Sequence, residues 1–222
     1  METADTIRHL LISALPVLIA ITFHEVSHGL VANKLGDPTA KMLGRLTLNP
    51  IAHIDIFGTI ILPLMLIVVT DGRFVFGYAK PVPINPMNFK NPKKDMAISA
   101  AAGPVTNLLL AFCSFIIWKA VLTPLAGLSP ELVGEKVLRP LTLIFQSGIV
   151  VNVVLAAFNM IPIPPLDGGR VLTGLLPYKQ AASFSRIEPF GFIIVLLLIY
   201  SGIANYIIMP FIVFFLKLFQ IY

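Results

Sequence analysis

The sequence predicts an all-α polytopic membrane protein built from about six transmembrane or re-entrant helices. The first observation behind this prediction is composition, because 57% of the 222 residues are hydrophobic and only 12% are charged. Soluble globular domains carry about 25% charged residues. The second observation is that apolar runs recur along the chain, and the first is long enough to cross a bilayer core of about 30 Å. We therefore expect one membrane-embedded domain over residues 1–222.

Charge and cysteine content exclude several other classes of protein. The formal net charge is +5, but the lysines and arginines are scattered and are not interleaved with aromatic residues, so no nucleic-acid partner is expected. Cys113 is the only cysteine, which excludes an intrachain disulfide and a thiolate zinc site. The N-terminus lacks a basic segment followed by a small-residue cleavage site, so we expect it to be retained as part of the first span.

The first two apolar runs differ in length. The first extends from Leu10 to Leu35 and is followed by Gly36 and Pro38, which are typical of a helix end. A polar stretch leads to the second run, residues 57–69, which is short and contains a proline. We expect a kinked or partly inserted helix there.

The segment over residues 73–86 is unlike the helices around it. Aromatic and β-branched residues are interrupted there by glycines and prolines, which predicts a short β-hairpin or an extended loop. A third span over residues 96–122 follows. We expect Gly103, Pro104 and Asn107 to break or bend its helix.

The second half of the chain continues the pattern of spans and turns. A fourth span over residues 141–160 leads into a proline- and glycine-rich turn over residues 161–170, whose irregular backbone requires burial in protein or contact with water. The other elements predicted here are a loop over residues 123–139, an interfacial stretch over 171–187, a fifth span over 190–200 and a sixth over 203–219, with a tight turn at Ser201 and Gly202.

Basic residues are distributed unevenly between the predicted loops. Cytosolic loops of membrane proteins are enriched in lysine and arginine, so we expect the more basic set to be cytosolic. That set contains Lys34, Lys41, Arg45, Lys90, Lys93, Lys94, Arg170, Lys179 and Arg186, against Arg8, Arg73, Lys136 and Arg139 on the other side.

His24, Glu25 and His28 lie inside the first apolar span. On a helix the two histidines share one face, roughly 6 Å apart, so both imidazoles can bind one Zn²⁺. Glu25 lies beside such a metal without having to bind it and can act as a general base. The alternative is a cluster of hydrogen-bonded core histidines. We favour the metal site, because ionisable groups inside a membrane are costly unless they pair, bind metal or line a wet cavity.

A catalytic zinc site requires a third protein ligand and one open position for water. Asp167 is the best candidate, because it is an acid held in a turn bounded by prolines and glycines next to a span. In isolation it would be interpreted as an ordinary Asp-Gly turn. The presence of the histidine pair inside a span favours the ligand interpretation.

Two separated motifs resemble the site-2 protease family of intramembrane zinc metalloproteases. The first is HEVSH at residues 24–28, and the second is NMIPIPPLDGG at residues 159–169, which is similar to the family's segment around Leu-Asp-Gly. The sequences AGPVTN at residues 102–107 and GYAKPVP at residues 77–83 also resemble intervening segments of the family. The resemblance extends from residue 23 to about residue 176. It implies a minimal catalytic core without a peptide-binding or nucleotide-sensing accessory domain.

The resemblance assigns roles to five residues. It implies that His24, His28 and Asp167 bind one zinc ion per chain, that Glu25 is the general base and that Asn159 lies near the scissile carbonyl. We further expect that substrate is bound by Asn107, Phe76 and Tyr78.

Several of these roles have open alternatives. Asn159 could instead form an interhelical hydrogen bond. Residues 74–82 could hold an unwound substrate as an added strand, or could be a plain re-entrant loop. His53 and Asp55 could form a gating pair, although polar residues of an interfacial loop are the favoured interpretation.

The predicted function is that of a zinc metalloendopeptidase which hydrolyses peptide bonds within or near transmembrane segments, in regulated intramembrane proteolysis or signal-peptide clearance. Its expected partners are transmembrane or signal-peptide-like substrates and the lipid bilayer. We expect a multi-pass protein of a bacterial or archaeal inner membrane with its active site towards the cytosol. The alternative is a non-catalytic zinc-binding membrane protein. A transporter should contain internal repeats, which the sequence lacks, and a scaffold would not need Glu25.

Overall fold

The computed structural model describes the backbone of residues 2–69, 71 and 77–221 and the side chains of residues 12–69, 71 and 77–221. Over these residues the chain is helical and contains no β-strand, which confirms the all-α prediction. The described part of the segment predicted as a hairpin or loop, residues 77–85, is an extended loop. Phe76 lies outside the described residues.

The helices that position the site are joined by connections of different lengths. Parts of α2, α3 and α4 have π-helical hydrogen bonding. The helices are α1 (Glu2–Lys34), α2 (Ile56–Val69), α3 (Pro92–Leu128), α4 (Glu131–Asn159), α5 (Asp167–Leu175), α6 (Tyr178–Ser185), α7 (Glu188–Tyr200) and α8 (Ile203–Leu218).

Among the described residues, three helices are long and apolar enough to cross a membrane: α1 over Ile12–Lys34, α3 and α4. Helices α6 and α7 make a fourth candidate span if they are taken together, with a bend of 70° between them. Helices α2 and α8 are shorter apolar helices. The chain is therefore a multi-pass membrane protein.

Helices α1, α3 and α4 pack against one another and form the centre of the fold. Helix α5 packs on α3, and α8 packs on α4. The contact between α5 and α3 is close, because a Cβ atom added to Gly174 would lie 2.2 Å from the Cβ of Ala97. This close packing brings the N-terminus of α5 to the centre of the helical bundle.

The structure excludes one alternative predicted for α3 and shows that a second prediction is wrong. Gly103, Pro104 and Asn107 do not break α3, since its α-helical part runs without interruption over Pro92–Ile116, and a bend at these residues stays a prediction. Packing of α3 against α1, α4 and α5 offsets the hydrogen bond that the proline removes. The loop predicted over residues 123–139 is helical except at residues 129–130. Its sequence remains largely apolar, and in a lipid environment a helix satisfies the backbone polar groups that a loop would leave exposed.

Other predicted ends are confirmed. Helix α1 ends at Lys34, ahead of the glycine and proline that predicted its end. Gly202 has a φ of +77° and forms the tight turn between α7 and α8. Glycine reaches this left-handed conformation without the steric cost that a Cβ atom would add.

The extended loop over residues 77–85 is held along the start of α2. The Tyr78 N–H donates to the Gly58 carbonyl at 3.0 Å, and the Thr59 hydroxyl donates to the Tyr78 carbonyl at 2.9 Å. Two residues further along the loop, the Lys80 N–H donates to the His53 carbonyl at 2.9 Å. Residues 53–59 therefore fix the course of the loop.

Asp37, three residues after α1, holds the downstream end of the loop. Its carboxylate accepts the Asn85 backbone N–H at 2.7 Å, the Asn88 side-chain amide at 2.7 Å and the Thr39 hydroxyl at 2.5 Å. Burial by itself would raise the pKa of Asp37, but these hydrogen bonds outweigh it and hold the pKa below its ordinary value. The carboxylate thereby ties the loop to the end of α1.

Replacing Asp37 with alanine should destabilise the protein at neutral pH by about 1–3 kcal/mol, because the donors of Asn85 and Asn88 lose their acceptor. Because the pKa is depressed in the folded state, the contribution of Asp37 is present above its unfolded pKa and is lost as the pH falls through the folded pKa. The difference between the two proteins should therefore shrink in acid. Thermal unfolding in detergent measures the stability, and hydrogen exchange over residues 84–89 measures the loosening of the loop.

The matched control for this substitution is Glu131→Ala, which removes an exposed acid at the start of α4. It should leave the melting temperature and the exchange of residues 84–89 unchanged. Identical melting temperatures for Asp37→Ala and wild type at pH 7 would contradict the assignment.

Candidate metal centre

Two successive turns of α1 bring the side chains of His24 and His28 together. Both histidines are buried, and their Nε2 atoms lie 3.0 Å apart. Side chains four residues apart on a helix lie on the same face, so this proximity follows from the local sequence.

Asp167 reaches the same point from the N-terminus of α5. Its Oδ2 atom lies 3.1 Å from His24 Nε2 and 3.3 Å from His28 Nε2. The three ligand atoms all lie within 4.8 Å of one another, an arrangement that could hold a metal ion. The three residues predicted as zinc ligands are therefore brought together.

Two glycines allow the turn before α5 to fold tightly enough to present Asp167. A Cβ atom on Gly168 would lie 2.4 Å from the Met160 carbonyl oxygen, and one on Gly169 would lie 2.2 Å from the Pro164 nitrogen. Larger side chains at these positions would displace the turn. The Gly-Gly pair thus determines where the carboxylate is placed.

The Nδ1 atom of each histidine faces an oxygen. His28 Nδ1 lies 2.7 Å from the Ser99 carbonyl oxygen, and His24 Nδ1 lies 2.5 Å from Asn107 Oδ1. Carbonyl and amide oxygens only accept hydrogen bonds, so each Nδ1 atom carries the proton. Both Nε2 atoms then direct lone pairs towards Asp167.

Three hydrogen-bond acceptors therefore converge without a proton among them. Asp167 Oδ2 is buried and has no hydrogen-bond donor among the described residues. A cation satisfies such a cluster, and two imidazoles with one carboxylate are a donor set of catalytic zinc sites, which leave a fourth position open. The residues present fit a zinc ion.

Helix α3 passes the two histidines at Gly103. A Cβ atom there would lie 2.4 Å from His28 Nε2 and 2.5 Å from His24 Cε1, closer than real side-chain contacts. Only glycine leaves room for both imidazoles. The sequence predicted that Gly103 breaks or bends the helix and did not identify this role. The available signal was that Gly103 lies one helical turn before Asn107.

Glu25 lies beside the three converging atoms rather than among them. Its Oε2 atom accepts the backbone N–H of Val82, in the extended loop, at 2.8 Å. The side chain is only partly buried and lines two neighbouring cavities of about 710 Å³ and about 400 Å³. This position is open to a water molecule and to a substrate.

The two cavities meet at the candidate metal centre. The larger extends towards Phe57, Arg170 and Phe192, and the smaller extends between Val17, Leu155 and Phe158. Both are lined by His24, Glu25, Tyr78, Ala79, Asn159 and Leu166. The ligands therefore lie beside an accessible cleft rather than inside a closed core.

The remaining predicted site residues differ in their access to this cleft. Asn159 is partly buried, and its amide donates to the Leu155 carbonyl at 3.0 Å. Tyr78 is 43% exposed, and its ring packs so closely on Gly58 that a Cβ atom there would lie 2.3 Å away. Asn107 is fully buried and contacts His24, so a substrate role for it stays a prediction.

His53 and Asp55 make contacts within the polar stretch ahead of α2. The ring nitrogen Nε2 of His53, a residue that is 2% exposed, lies 2.9 Å from the Thr47 carbonyl oxygen. Asp55 accepts the Gly58 N–H at 2.7 Å. The carbonyl groups of His53 and Gly58 accept hydrogen bonds from the extended loop, so these contacts help to fix the position of the loop.

Comparisons with known proteins agree with this geometry. The model of peptidase family M50 matches residues 12–202. The protein YwhC of Bacillus subtilis is 40% identical over 87% of this chain and 82% of its own length. Rip2 of Mycolicibacterium smegmatis is 27% identical over 91% of this chain and 74% of its own length, and a protein of Methanocaldococcus jannaschii is 29% identical over 73% and 69%. Each of the three is named a putative zinc metalloprotease. No solved structure matches the chain.

Replacing Gly103 with alanine should abolish zinc binding, because the added methyl group would occupy the space of the two imidazoles. Elemental analysis of the purified protein measures the zinc content, which should fall close to the background of a metal-free preparation. The matched control is Gly127→Ala, since nothing lies within 4 Å of a Cβ atom at that position. A folded Gly103→Ala protein with a full complement of zinc would show that the histidines do not hold the metal in this geometry.

Proposed function

The chain belongs to peptidase family M50 and is an intramembrane zinc metalloprotease, and we propose that its active site is the cleft around His24, His28 and Asp167. The observation that carries this proposal is the convergence of two imidazole nitrogens and a carboxylate oxygen beside Glu25 in an open cleft. The names of the relatives give no support to a non-catalytic function.

His24, His28 and Asp167 would hold one zinc ion per chain. Zinc bound there would polarise the scissile carbonyl group and lower the pKa of a bound water molecule towards about 7. The chain itself contributes the position and protonation state of the ligands. Both Nδ1 protons are engaged with oxygens, so both Nε2 lone pairs are available.

Glu25 acts as the general base in this proposal. A water molecule attacks the carbonyl carbon of the peptide bond, and Glu25 takes one proton from that water. As the carbon–nitrogen bond breaks, Glu25 passes the proton to the leaving nitrogen, so the products are a carboxylic acid and an amine. The hydrogen bond from Val82 to Oε2 fixes the carboxylate and leaves its other oxygen for this transfer.

Asn159 would stabilise the carbonyl oxygen of the substrate as it becomes negatively charged. Its side chain lines both cavities and donates one amide proton to Leu155, one turn earlier in α4. The second amide proton remains for the substrate. Removing a donor of this kind from other enzymes costs about 2.7–4 kcal/mol in the transition state.

The extended loop would hold an unwound substrate strand. Successive N–H groups of an extended chain point to opposite sides, and those of Tyr78, Lys80 and Val82 are bonded to other parts of the protein. Ala79 lines both cavities and has an N–H, whereas the prolines at residues 81 and 83 have none. Ala79 would therefore supply the backbone donor for a substrate strand, and Tyr78 would contact its side chains.

The substrates would be transmembrane or signal-peptide-like segments of membrane proteins. Much of the cleft lining is apolar, with Val17 and Phe158 on one side and Phe57 and Phe192 on the other. An apolar segment can enter such a cleft without exposing its side chains to water. We further propose that α2, α8 and the bent pair α6–α7 complete about six transmembrane or re-entrant segments.

The protein would lie in a bacterial or archaeal inner membrane with its active site towards the cytosol. The bacterial and archaeal sources of the three relatives support the first part. The second part rests on two groups of basic residues. Lys90, Lys93 and Lys94 lie at or just before the start of α3, and Arg170 lies in the cleft.

Glu25→Gln should abolish peptide-bond hydrolysis and retain zinc. The amide keeps the size of the carboxylate but cannot take a proton from water, so the rate should fall at least about 10²–10⁴-fold. The measurement is cleavage of a single-span model substrate in liposomes, with zinc analysis of each protein. His24→Ala should lose zinc and activity together. If Glu25→Gln cleaves at the wild-type rate while holding zinc, Glu25 is not the base.

Cysteine labelling tests the orientation. In a Cys113→Ser background, a cysteine at Lys93 should be protected from a membrane-impermeant reagent in intact cells, and a cysteine at Glu131 should be labelled. Both should react once the membrane is opened. Labelling of the Lys93 position from outside intact cells would reverse the assigned topology.

A further inference from the structure

A chain of buried amides connects His24 to two other helices. His24 Nδ1 on α1 lies 2.5 Å from Asn107 Oδ1 on α3. The Asn107 amide nitrogen donates to Asn152 Oδ1 on α4 at 2.8 Å, and the Asn152 amide nitrogen donates to the Gly148 carbonyl oxygen at 2.8 Å. Asn107 is 0% exposed and Asn152 is 3% exposed, so water does not compete for these groups.

The direction of this chain is fixed at both amides by backbone carbonyls. A carbonyl oxygen only accepts hydrogen bonds, so the Asn152 group that faces the Gly148 carbonyl must be the amide nitrogen. The amide oxygen of Asn152 then accepts the hydrogen bond from Asn107. The Ala20 carbonyl lies 3.3 Å from the Asn107 nitrogen and fixes that amide in the same sense. Asn107 therefore presents an oxygen to His24, and His24 must hold its proton on Nδ1.

We propose that Asn107 and Asn152 are positioning residues for the metal centre, and that together they hold His24 in the tautomer whose Nε2 lone pair faces the metal. The proposal rests on the assignment of His24 as a zinc ligand. Asn107 acts on His24 directly, whereas Asn152 acts through Asn107 and is not one of the residues that line the two cavities.

The effect of losing Asn152 follows from the symmetry of an amide group. Without the acceptor on Asn152, the Asn107 amide nitrogen keeps only its longer contact with the Ala20 carbonyl, so the reversed orientation of the amide becomes accessible. A reversed amide would present N–H to His24 Nδ1, which would then have to accept, and the imidazole proton would move to Nε2. A protonated Nε2 cannot bind zinc. Loss of such supporting contacts typically costs about 10–100-fold in metal affinity.

A polar contact that α4 makes with α1 provides the comparison that a purely structural role requires. The Ser147 hydroxyl donates to Ser13 Oγ at 3.3 Å and has no part in the amide chain. Ser147→Ala therefore removes another interhelical contact of α4 without changing the groups around His24. A role in packing alone would make this variant resemble one at Asn152.

The experiment measures the zinc affinity of the full-length protein in detergent by competition with a chelator. Asn152→Leu, which has nearly the same shape but no acceptor, should bind zinc about 10–100-fold more weakly. Asn152→Asp should bind close to the wild-type affinity, because a buried carboxyl group is neutral and can donate to Gly148 while accepting from Asn107. Ser147→Ala should also match wild type. Excess zinc should restore substrate cleavage to Asn152→Leu.

A second variant and a second measurement test the proposal even if Asn152→Leu does not fold. In Asn152→Ser the hydroxyl can bond back to Gly148 in its own helix and leaves Asn107 without an acceptor, so the same loss of affinity is expected. In metal-free protein labelled with ¹⁵N-histidine, at a pH about two units above the usual histidine pKa of about 6.5, His24 should be protonated on Nδ1 in wild type, and a measurable fraction should be protonated on Nε2 in Asn152→Ser.

The outcomes separate this proposal from the one on which it rests. Wild-type zinc affinity in both Asn152→Leu and Asn152→Ser, with zinc lost in His24→Ala, would overturn the role of the amide chain and leave the ligand set intact. Equal losses in Ser147→Ala and Asn152→Leu would reduce that role to packing and overturn it as well. Retention of zinc by His24→Ala would instead remove His24 from the ligand set.

Discussion

The structure depends on three hydrogen-bond acceptors that meet within 3.3 Å inside an apolar helical bundle. Two imidazole lone pairs and a carboxylate repel one another unless a cation lies between them, and all three residues are buried, so water solvates them poorly. Each surrounding feature follows from this constraint. Gly103 removes the side chain that would fill the space, and Gly168 and Gly169 allow the turn that places Asp167.

The proposed general base, Glu25, is linked to the loop that would bind substrate. Glu25 follows directly after His24 in α1, so the helix fixes its distance from the candidate metal centre. Its carboxylate is held by Val82 in the extended loop, and that loop is fixed by α2 on one side and by Asp37 on the other. Substrate binding and proton transfer would thus both depend on the position of the extended loop over residues 77–85. A displacement of the loop would change both the strand that receives the substrate and the orientation of the base.

The distribution of polar groups is the reverse of that in a soluble enzyme. Large apolar side chains such as Leu15, Leu109 and Phe190 lie on the outside of the helices, where lipid solvates them. The buried side chains near the site include Ser99, Asn107 and Asn152, each with a hydrogen-bond partner. Van der Waals packing of small residues and polar contacts of this kind hold transmembrane helices together, because lipid provides no hydrophobic force between them. The same contacts orient the metal ligands, so bundle stability and site geometry have a common origin.

Local periodicity and residue chemistry determined much of this protein from the sequence alone. The spacing of His24 and His28 is a property of one helix, and Asp167 was identified because a carboxylate in a Gly-Gly turn supplies the ligand that two histidines lack. Only the tertiary structure decided what surrounds them. Asn107 was predicted to bind substrate, and the structure shows in addition that it contacts His24, 83 residues away in sequence. Gly103 was predicted to break or bend a helix, and the structure shows that it makes room for the imidazoles. Residues 123–139 were predicted as a loop and are mostly helical. These roles depend on which helix packs against which, and a pattern within one segment carries no information about the surface of its neighbour.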